Sequence, residues 1–262
     1  MNAGLICLRT ALVLYALGFA TALYSLMVEK SRSIAFTPWL AGLGWLCHTA
    51  ALFFLGWSLK RCPLATLPEV LSALAWASVL LYLLVSLRTR VTVLHLIVLP
   101  LSMIVLVLSK VVPGTMLPVA EPMRASLLKF HLTAIILGVA ALTVTFAASL
   151  AYVVADRALK SKRPARYFLM LPSLESCDRL GRLSLLFAFP LLTLGIVTGA
   201  IANESLTGTA WTWQPRETLA VLSWVLLGVV LVARIGWGWR GRKAALLTIL
   251  GFSLVFLRML GV

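Results

Sequence analysis

The stretch Ala210 to Trp224 reads AWTWQPRETLAVLSW and lies between two long apolar segments. It gathers Trp211, Trp213, Arg216, Glu217 and Trp224 beside a polar turn. Large rings next to a polar loop offer a shelf for a flat apolar ligand, through contact area and stacking. A plain aromatic belt at a membrane–water interface accounts for the same residues, and spacing alone leaves both readings open. Pro215 suits the first position of a helix, where a missing N–H costs nothing. Glu217 then falls near the positive end of the helix dipole, and Trp224 lies about three turns inside. Three histidines complete the set. His48, in WLCHTAALFF, is an ionisable group deep in an apolar segment, which is costly and reads as functional by default. A neutral imidazole bonded to a neighbouring helix fits equally. His131 opens another apolar segment, LLKFHLTAII, as a ligand or as an interfacial polar residue. His95 reads as structural.

The elements that carry these residues are membrane helices. Apolar residues make up 61% of the 262 and charged ones 12%, about half the charged share of a soluble domain. At about 20 apolar residues per crossing, eight spans can be drawn. They are Leu5–Met27, Pro38–Leu59, Pro68–Leu87, Val91–Ser109, Leu128–Val154, Leu183–Ala202, Thr218–Arg234 and Ala244–Leu260. The fold class is therefore all-α, a polytopic bundle of about eight transmembrane helices forming a single transmembrane domain over residues 1–262. Alternating loops hold fifteen Lys and Arg on one side and eight on the other. The richer side, with the KSKRPAR run and Arg234, reads as cytoplasmic. Both termini and the Trp-rich loop then face outward, with His131 level with that loop.

Other chemistries find little support. The four cysteines, Cys7, Cys47, Cys62 and Cys177, form no CxxC, zinc spacing or CxxCH. There is no GxSxG, HExxH or P-loop. The net charge of +15 is a positive-inside anchor more readily than a nucleic-acid footprint, because aromatic interleaving is missing. Anionic lipid headgroups are a weaker reading of the KSKRPAR run. Arg9 followed by an apolar run could pass for a signal peptide, but the run continues to Val28, which favours a retained span.

Several motifs resemble one family. Trp211-Thr212-Trp213-Gln214-Pro215-Arg216-Glu217-Thr218 resembles the tryptophan-rich "WWD" segment, W-x-W-D-P-K-E-T-W, of the cytochrome c assembly family (CcsA, CcmC and HemX-type proteins). Pro63-Leu64, Glu69, Leu71 and Trp76 resemble its P-L-x-N-x-x-E-S-L-x-F-x-x-W loop. Phe189-Pro190-Leu191-Leu192-Thr193 with Gly195, Thr198-Gly199-Ala200 and Ala202-Asn203-Glu204 resemble its F-P-L-L-T-x-G segment. Trp239-Arg240-Gly241-Arg242-Lys243-Ala244-Ala245 resembles W-R-G-K-K-A-A. The likeness runs over about residues 38 to 260, with the Trp-rich outer loop at 203–217. Gln214 stands where the family has Asp, and Leu219 where it has Trp. Two of the family's four histidines are missing, one near Ala233 and one beyond Val262.

The resemblance implies a haem-handling protein of cytochrome c biogenesis. Haem would rest on Trp211 and Trp213, with Trp224 and Glu69 nearby parts of the site. His131 and His48 would be ligands of haem iron. Arg216, Arg124 or Lys129 would pair with the propionates. The implied partners are apocytochrome c, whose thiols perform the attachment, and a CcsB (ResB-like) membrane subunit. The implied place is the bacterial inner membrane, with the Trp-rich loop on the periplasmic side. Such a chain is at most one subunit of a cytochrome c haem lyase. A HemX-type regulator of haem biosynthesis, acting through protein contact, is the alternative. A small-molecule transporter is a third class, without the interrupted paired spans that would support it.

Overall fold

In the computed structural model, residues 2–28, 36–88, 93–114, 122–161 and 172–259 are described. They form helices α1 (Asn2–Val28), α2 (Thr37–Leu59), α3 (Leu67–Arg88), α4 (His95–Val111), α5 (Pro122–Lys160), α6 (Leu174–Thr207), α7 (Pro215–Gly236) and α8 (Arg242–Met259). Each of the eight expected spans corresponds to one of these helices; the fourth starts at His95 and not Val91, and Val91, Thr92 and Leu260 lie outside the described residues. Six are long and apolar enough to cross a membrane, and α4 is a shorter apolar helix. The chain is a multi-pass membrane protein. The KSKRPAR run falls largely outside the described residues, as does the side chain of Arg124.

The helices outrun the apolar segments at their polar ends. Helix α5 has 39 residues and rises about 58 Å at 1.5 Å per residue, against a hydrocarbon core of about 30 Å. Hydropathy marks the bilayer, while the helix continues through Asp156, Arg157 and Lys160, with Lys160 bonded to Asp156 at 2.9 Å one turn back. Helix α6 likewise starts at Leu174, capped by the Ser173 hydroxyl, which accepts from the Ser176 N–H. It runs on to Thr207, so the Trp-rich loop is shorter than the expected 203–217 and covers 208–214. Gly208, at φ +77°, ends α6 in the left-handed conformation that glycine takes without a Cβ penalty.

The chain divides into two compact units, Met1–Leu117 and Pro118–Val262. In the first, α1 packs on α2 and α4, and α3 packs on the same two helices. In the second, α5 packs on α6 and α8, and α7 closes against those two. Small residues permit the close approaches. Gly44 on α2 faces the Tyr15 ring of α1, and Gly138 on α5 faces Leu191 and Leu192 of α6. Helix α3 is the most deeply packed of the first unit, with Glu69 to Ala75 buried without interruption.

The positive-inside pattern puts Arg234 among the loop charges. In the structure it is 4% exposed, and its Nη1 donates to the Asp178 carboxylate at 3.2 Å and to the Asp178 carbonyl at 3.3 Å. A buried charge persists only when paired, and Asp178 on α6 provides the pair. The same carboxylate accepts from the Gly241 N–H ahead of α8, joining α6, α7 and the α7–α8 turn.

Candidate functional site

In the second unit the motif Phe189 to Gly199 on α6 is the bed for His131 on α5. His131 Nδ1 lies 2.8 Å from the Gly195 carbonyl oxygen. A carbonyl only accepts, so Nδ1 carries the proton and donates it. Nε2 therefore holds a lone pair, and among the described residues nothing hydrogen-bonds it. The Thr198 hydroxyl sits 3.2 Å from Nδ1 and donates to the Leu194 carbonyl at 2.6 Å. Gly199 leaves the space for the ring: a Cβ there would stand 2.8 Å from His131 Cε1. A histidine fixed through Nδ1–H to a backbone carbonyl, with Nε2 free, has the arrangement that metal-ligating histidines adopt.

The Trp-rich loop is tied to the start of α7 by Glu217. Its Oε2 accepts from the Thr212 N–H and its Oε1 from the Thr212 hydroxyl, both at 2.8 Å. Gln214 occupies the N-cap and makes no side-chain cap bond. Glu217, at the third helical position, reaches back instead, in the manner of the acidic half of a capping box. The loop is also tied to the end of α6, where Asn203 Nδ2 donates to the Thr209 carbonyl at 3.1 Å. Trp213 is held at φ +57°, a left-handed conformation that bulky residues rarely adopt, and is 77% exposed. Such local strain persists only where neighbouring contacts over-determine it.

The two loop tryptophans do not form a flat shelf. Their rings meet edge to face, with centroids 6.1 Å apart and planes at 76°. They make a corner, with Trp211 the inner wall and Trp213 projecting. The Trp211 Nε1 is buried and has no hydrogen-bond partner among the described residues. A buried indole N–H without a partner is costly, and a ligand acceptor would satisfy it. Arg216 is exposed, and its Nη2 donates to Gln214 Oε1 at 3.4 Å. Arg258, near the end of α8, feels the charges of Arg216 and Glu217 and acts on His131, all within this unit.

Trp224 has a different place. Its Nε1 donates to Thr193 Oγ1 at 2.8 Å, and its ring stacks on Phe189 at 5.5 Å and 14°. It is a half-buried strut between α6 and α7. The family's F-P-L-L-T pattern thus has a physical reading here: Phe189 and Thr193 receive Trp224, and Gly195, Thr198 and Gly199 receive His131.

The remaining sequence candidates lie in the first unit. His48 is completely buried, with Nδ1 3.4 Å from Tyr15 Oη and Nε2 3.0 Å from Ser72 Oγ. Both ring nitrogens are engaged, on α1 and on α3. Glu69 is buried and accepts two bonds from Arg61, Nη1 to Oε2 at 2.9 Å and Nη2 to Oε1 at 2.8 Å, plus one from the Ala65 N–H at 2.8 Å. This bidentate pair holds the Arg61 guanidinium above its ordinary range, through the hydrogen bonds to the carboxylate. His95 is buried against Tyr82, edge to face at 6.4 Å. Glu217 is the site residue that sequence reading assigned only to the helix dipole. Its place at the third helical position, five residues after a hydroxyl, was the available signal.

A family model described as cytochrome C assembly protein matches residues 64–262. The chain is 28% identical over 277 residues to the cytochrome c biogenesis protein CcsA of Synechococcus sp. (strain CC9902), covering 96% of this chain and 90% of that one. It is 29% identical over 219 residues to the protein of the same name from Guillardia theta, covering 76% of this chain and 73% of that one. Among solved structures, a chain named cytochrome c heme lyase CcmF is similar with a TM-score of 0.72 at 18% identity. That likeness covers 99% of this chain and 48% of the other, so this chain spans about half its length. At that identity it is a likeness of fold.

Proposed function

We propose, from the premise that this chain belongs to the cytochrome c assembly protein family and serves cytochrome c biogenesis, that haem is its cargo and that the second unit holds it. His131 Nε2 offers the lone pair to iron, and the Trp211–Trp213 corner bounds the flat face. Arg216 and Lys129 are the exposed cations for the propionates. The iron supplies Lewis acidity toward a nitrogen ligand, and the chain's own part is to bind, orient and release. Glu217 holds the loop, and Gly195 fixes the imidazole tautomer.

The single observation that carries this reading is the His131 geometry, with one nitrogen bonded to a carbonyl and the other free; the same unit also holds a buried indole N–H, that of Trp211, which lacks a partner among the described residues. His48, with both nitrogens bonded inside its own unit, serves packing in this reading and not iron. Trp224 and Glu69 serve as a strut and a loop anchor. The loaded loop faces the periplasmic side of a bacterial inner membrane and presents haem to apocytochrome c. A CcsB (ResB-like) subunit completes the ligand set. The test is complementation: cells lacking the chain receive wild type, His131→Ala or His131→Gln at equal abundance. Loss of covalent haem in c-type cytochromes with both variants is expected. Wild-type yield from His131→Ala would remove His131 from the site.

A further inference from the structure

The third helix of each unit begins in the same way. From a glutamate at the third helical position, both read Glu-x-Leu-x-x-Leu-x-Trp. In α3 this is Glu69-Val70-Leu71-Ser72-Ala73-Leu74-Ala75-Trp76, and in α7 Glu217-Thr218-Leu219-Ala220-Val221-Leu222-Ser223-Trp224. The closing tryptophan meets the same receptor in each. Trp76 Nε1 donates to Thr49 Oγ1 at 2.8 Å and stacks on Trp45 at 5.4 Å and 26°. Trp224 Nε1 donates to Thr193 Oγ1 at 2.8 Å and stacks on Phe189 at 5.5 Å and 14°. Each threonine lies four residues after that aromatic on the unit's second helix. Each also gives its own proton to the aromatic's carbonyl at 2.8 Å.

The glutamates do the same work. Glu69 and Glu217 each use both carboxylate oxygens to hold the segment ahead of the helix, Arg61 and the Ala65 N–H in one unit, the Thr212 N–H and hydroxyl in the other. Each unit's fourth helix carries a base in its last described turn, Lys110 in α4 and Arg258 in α8. In both units the helices close in the same ring, first on second and fourth, third on second and fourth. Any one of these features arises readily in a helical bundle. Their joint occurrence, in one chain order, is what two copies of one design produce.

We infer that the two units are copies of one four-helix repeat, and that Glu69 and Glu217 are equivalent positioning residues, each fixing the loop its unit carries ahead of the third helix. Residues 60–66 are then the first unit's counterpart of the Trp-rich loop. There the anchored group is a cationic side chain, and the tryptophans are absent. The repeat stands on geometry alone. Only the functional arm of its test rests on the haem-handling reading.

The test is amide exchange on the purified full chain in detergent, read on peptides covering 61–66 and 208–214, for wild type, Glu69→Ala and Glu217→Ala. Glu217→Ala is expected to speed exchange at Thr212 by on the order of tenfold while leaving 61–66 unchanged. Glu69→Ala is expected to do the same at Ala65 and leave 208–214 unchanged. Thr212→Val, which keeps the carboxylate and removes one of its two bonds, reproduces the loosened 208–214 loop, and Thr212→Ser restores it. If either glutamate variant leaves its own loop unchanged, or loosens both loops alike, the equivalence is overturned. The second readout is the yield of holocytochrome c at equal chain abundance, which is expected to fall in both variants. A fall in Glu217→Ala alone overturns the equivalence of the first loop. Unchanged yield in both, with exchange as expected, supports the repeat and tells against the haem-handling reading.

Discussion

Gly199→Ala puts the least material against the imidazole that matters most. The new Cβ would stand 2.8 Å from His131 Cε1, closer than real Cβ atoms approach, and 3.3 Å from Nδ1. Gly199 lies in the body of α6, so its backbone cannot yield cheaply and the ring must move. Moving it breaks the 2.8 Å bond from Nδ1–H to the Gly195 carbonyl, which fixes both the tautomer and the direction of Nε2. Overpacking a well-filled site costs about 1 to 3 kcal/mol. If that falls on the liganded geometry, haem affinity drops roughly 5- to 150-fold. The control is Gly138→Ala, whose Cβ would also be tight, at 3.2 Å from Leu191 Cβ and Leu192, between the same two helices but away from the histidine. The assay is titration of the purified full chains in detergent with haem, followed at the Soret band, beside thermal unfolding by circular dichroism. Weakened binding in Gly199→Ala with near-normal binding in Gly138→Ala is expected. Equal affinities in both variants would refute the placement of His131 as the ligand.

Three further outcomes follow. Trp213→Gly relieves a left-handed backbone angle and is expected to raise the unfolding midpoint slightly, by about 1 kcal/mol of stability, while weakening haem binding; a fall in stability would show that the φ of +57° is not strained. Arg234→Met leaves the Asp178 carboxylate without its partner and is expected to cost about 3 to 5 kcal/mol, most of it restored by adding Asp178→Asn, as read by thermal unfolding. His48→Ala removes two buried hydrogen bonds and opens a cavity, so stability is expected to fall by a few kcal/mol, roughly as in large-to-small core changes, with the haem spectrum of the His131 site unchanged.

The membrane helices were the legible part of the chain. Apolar runs are dictated by the bilayer, so all eight spans could be drawn, but their ends could not. The last turns of α5 and the first of α6 are polar and stand beyond the hydrocarbon, where no apolar signal remains. The histidines were ambiguous for a related reason. His48 lies deep in its apolar segment and His131 opens another, yet each fits a ligand or a bonded polar residue, and only the partner atoms separate an imidazole bonded at both nitrogens from one bonded at one. The contacts of Trp224 with Phe189 and Thr193 are invisible in sequence because those residues lie on another helix. The Glu-x-Leu-x-x-Leu-x-Trp repeat was present in the sequence, yet four matches in eight apolar-rich positions carry little weight until the shared Trp-to-Thr bonds give them meaning.

The most direct measurement is the visible and resonance Raman spectrum of the purified chain loaded with haem, for wild type, His131→Gly and His131→Gly with added imidazole. Nitrogen ligation in the wild type, its loss in His131→Gly and its return with imidazole are expected. An identical ligation signature in wild type and His131→Gly would contradict the assignment of the second unit's histidine to the iron.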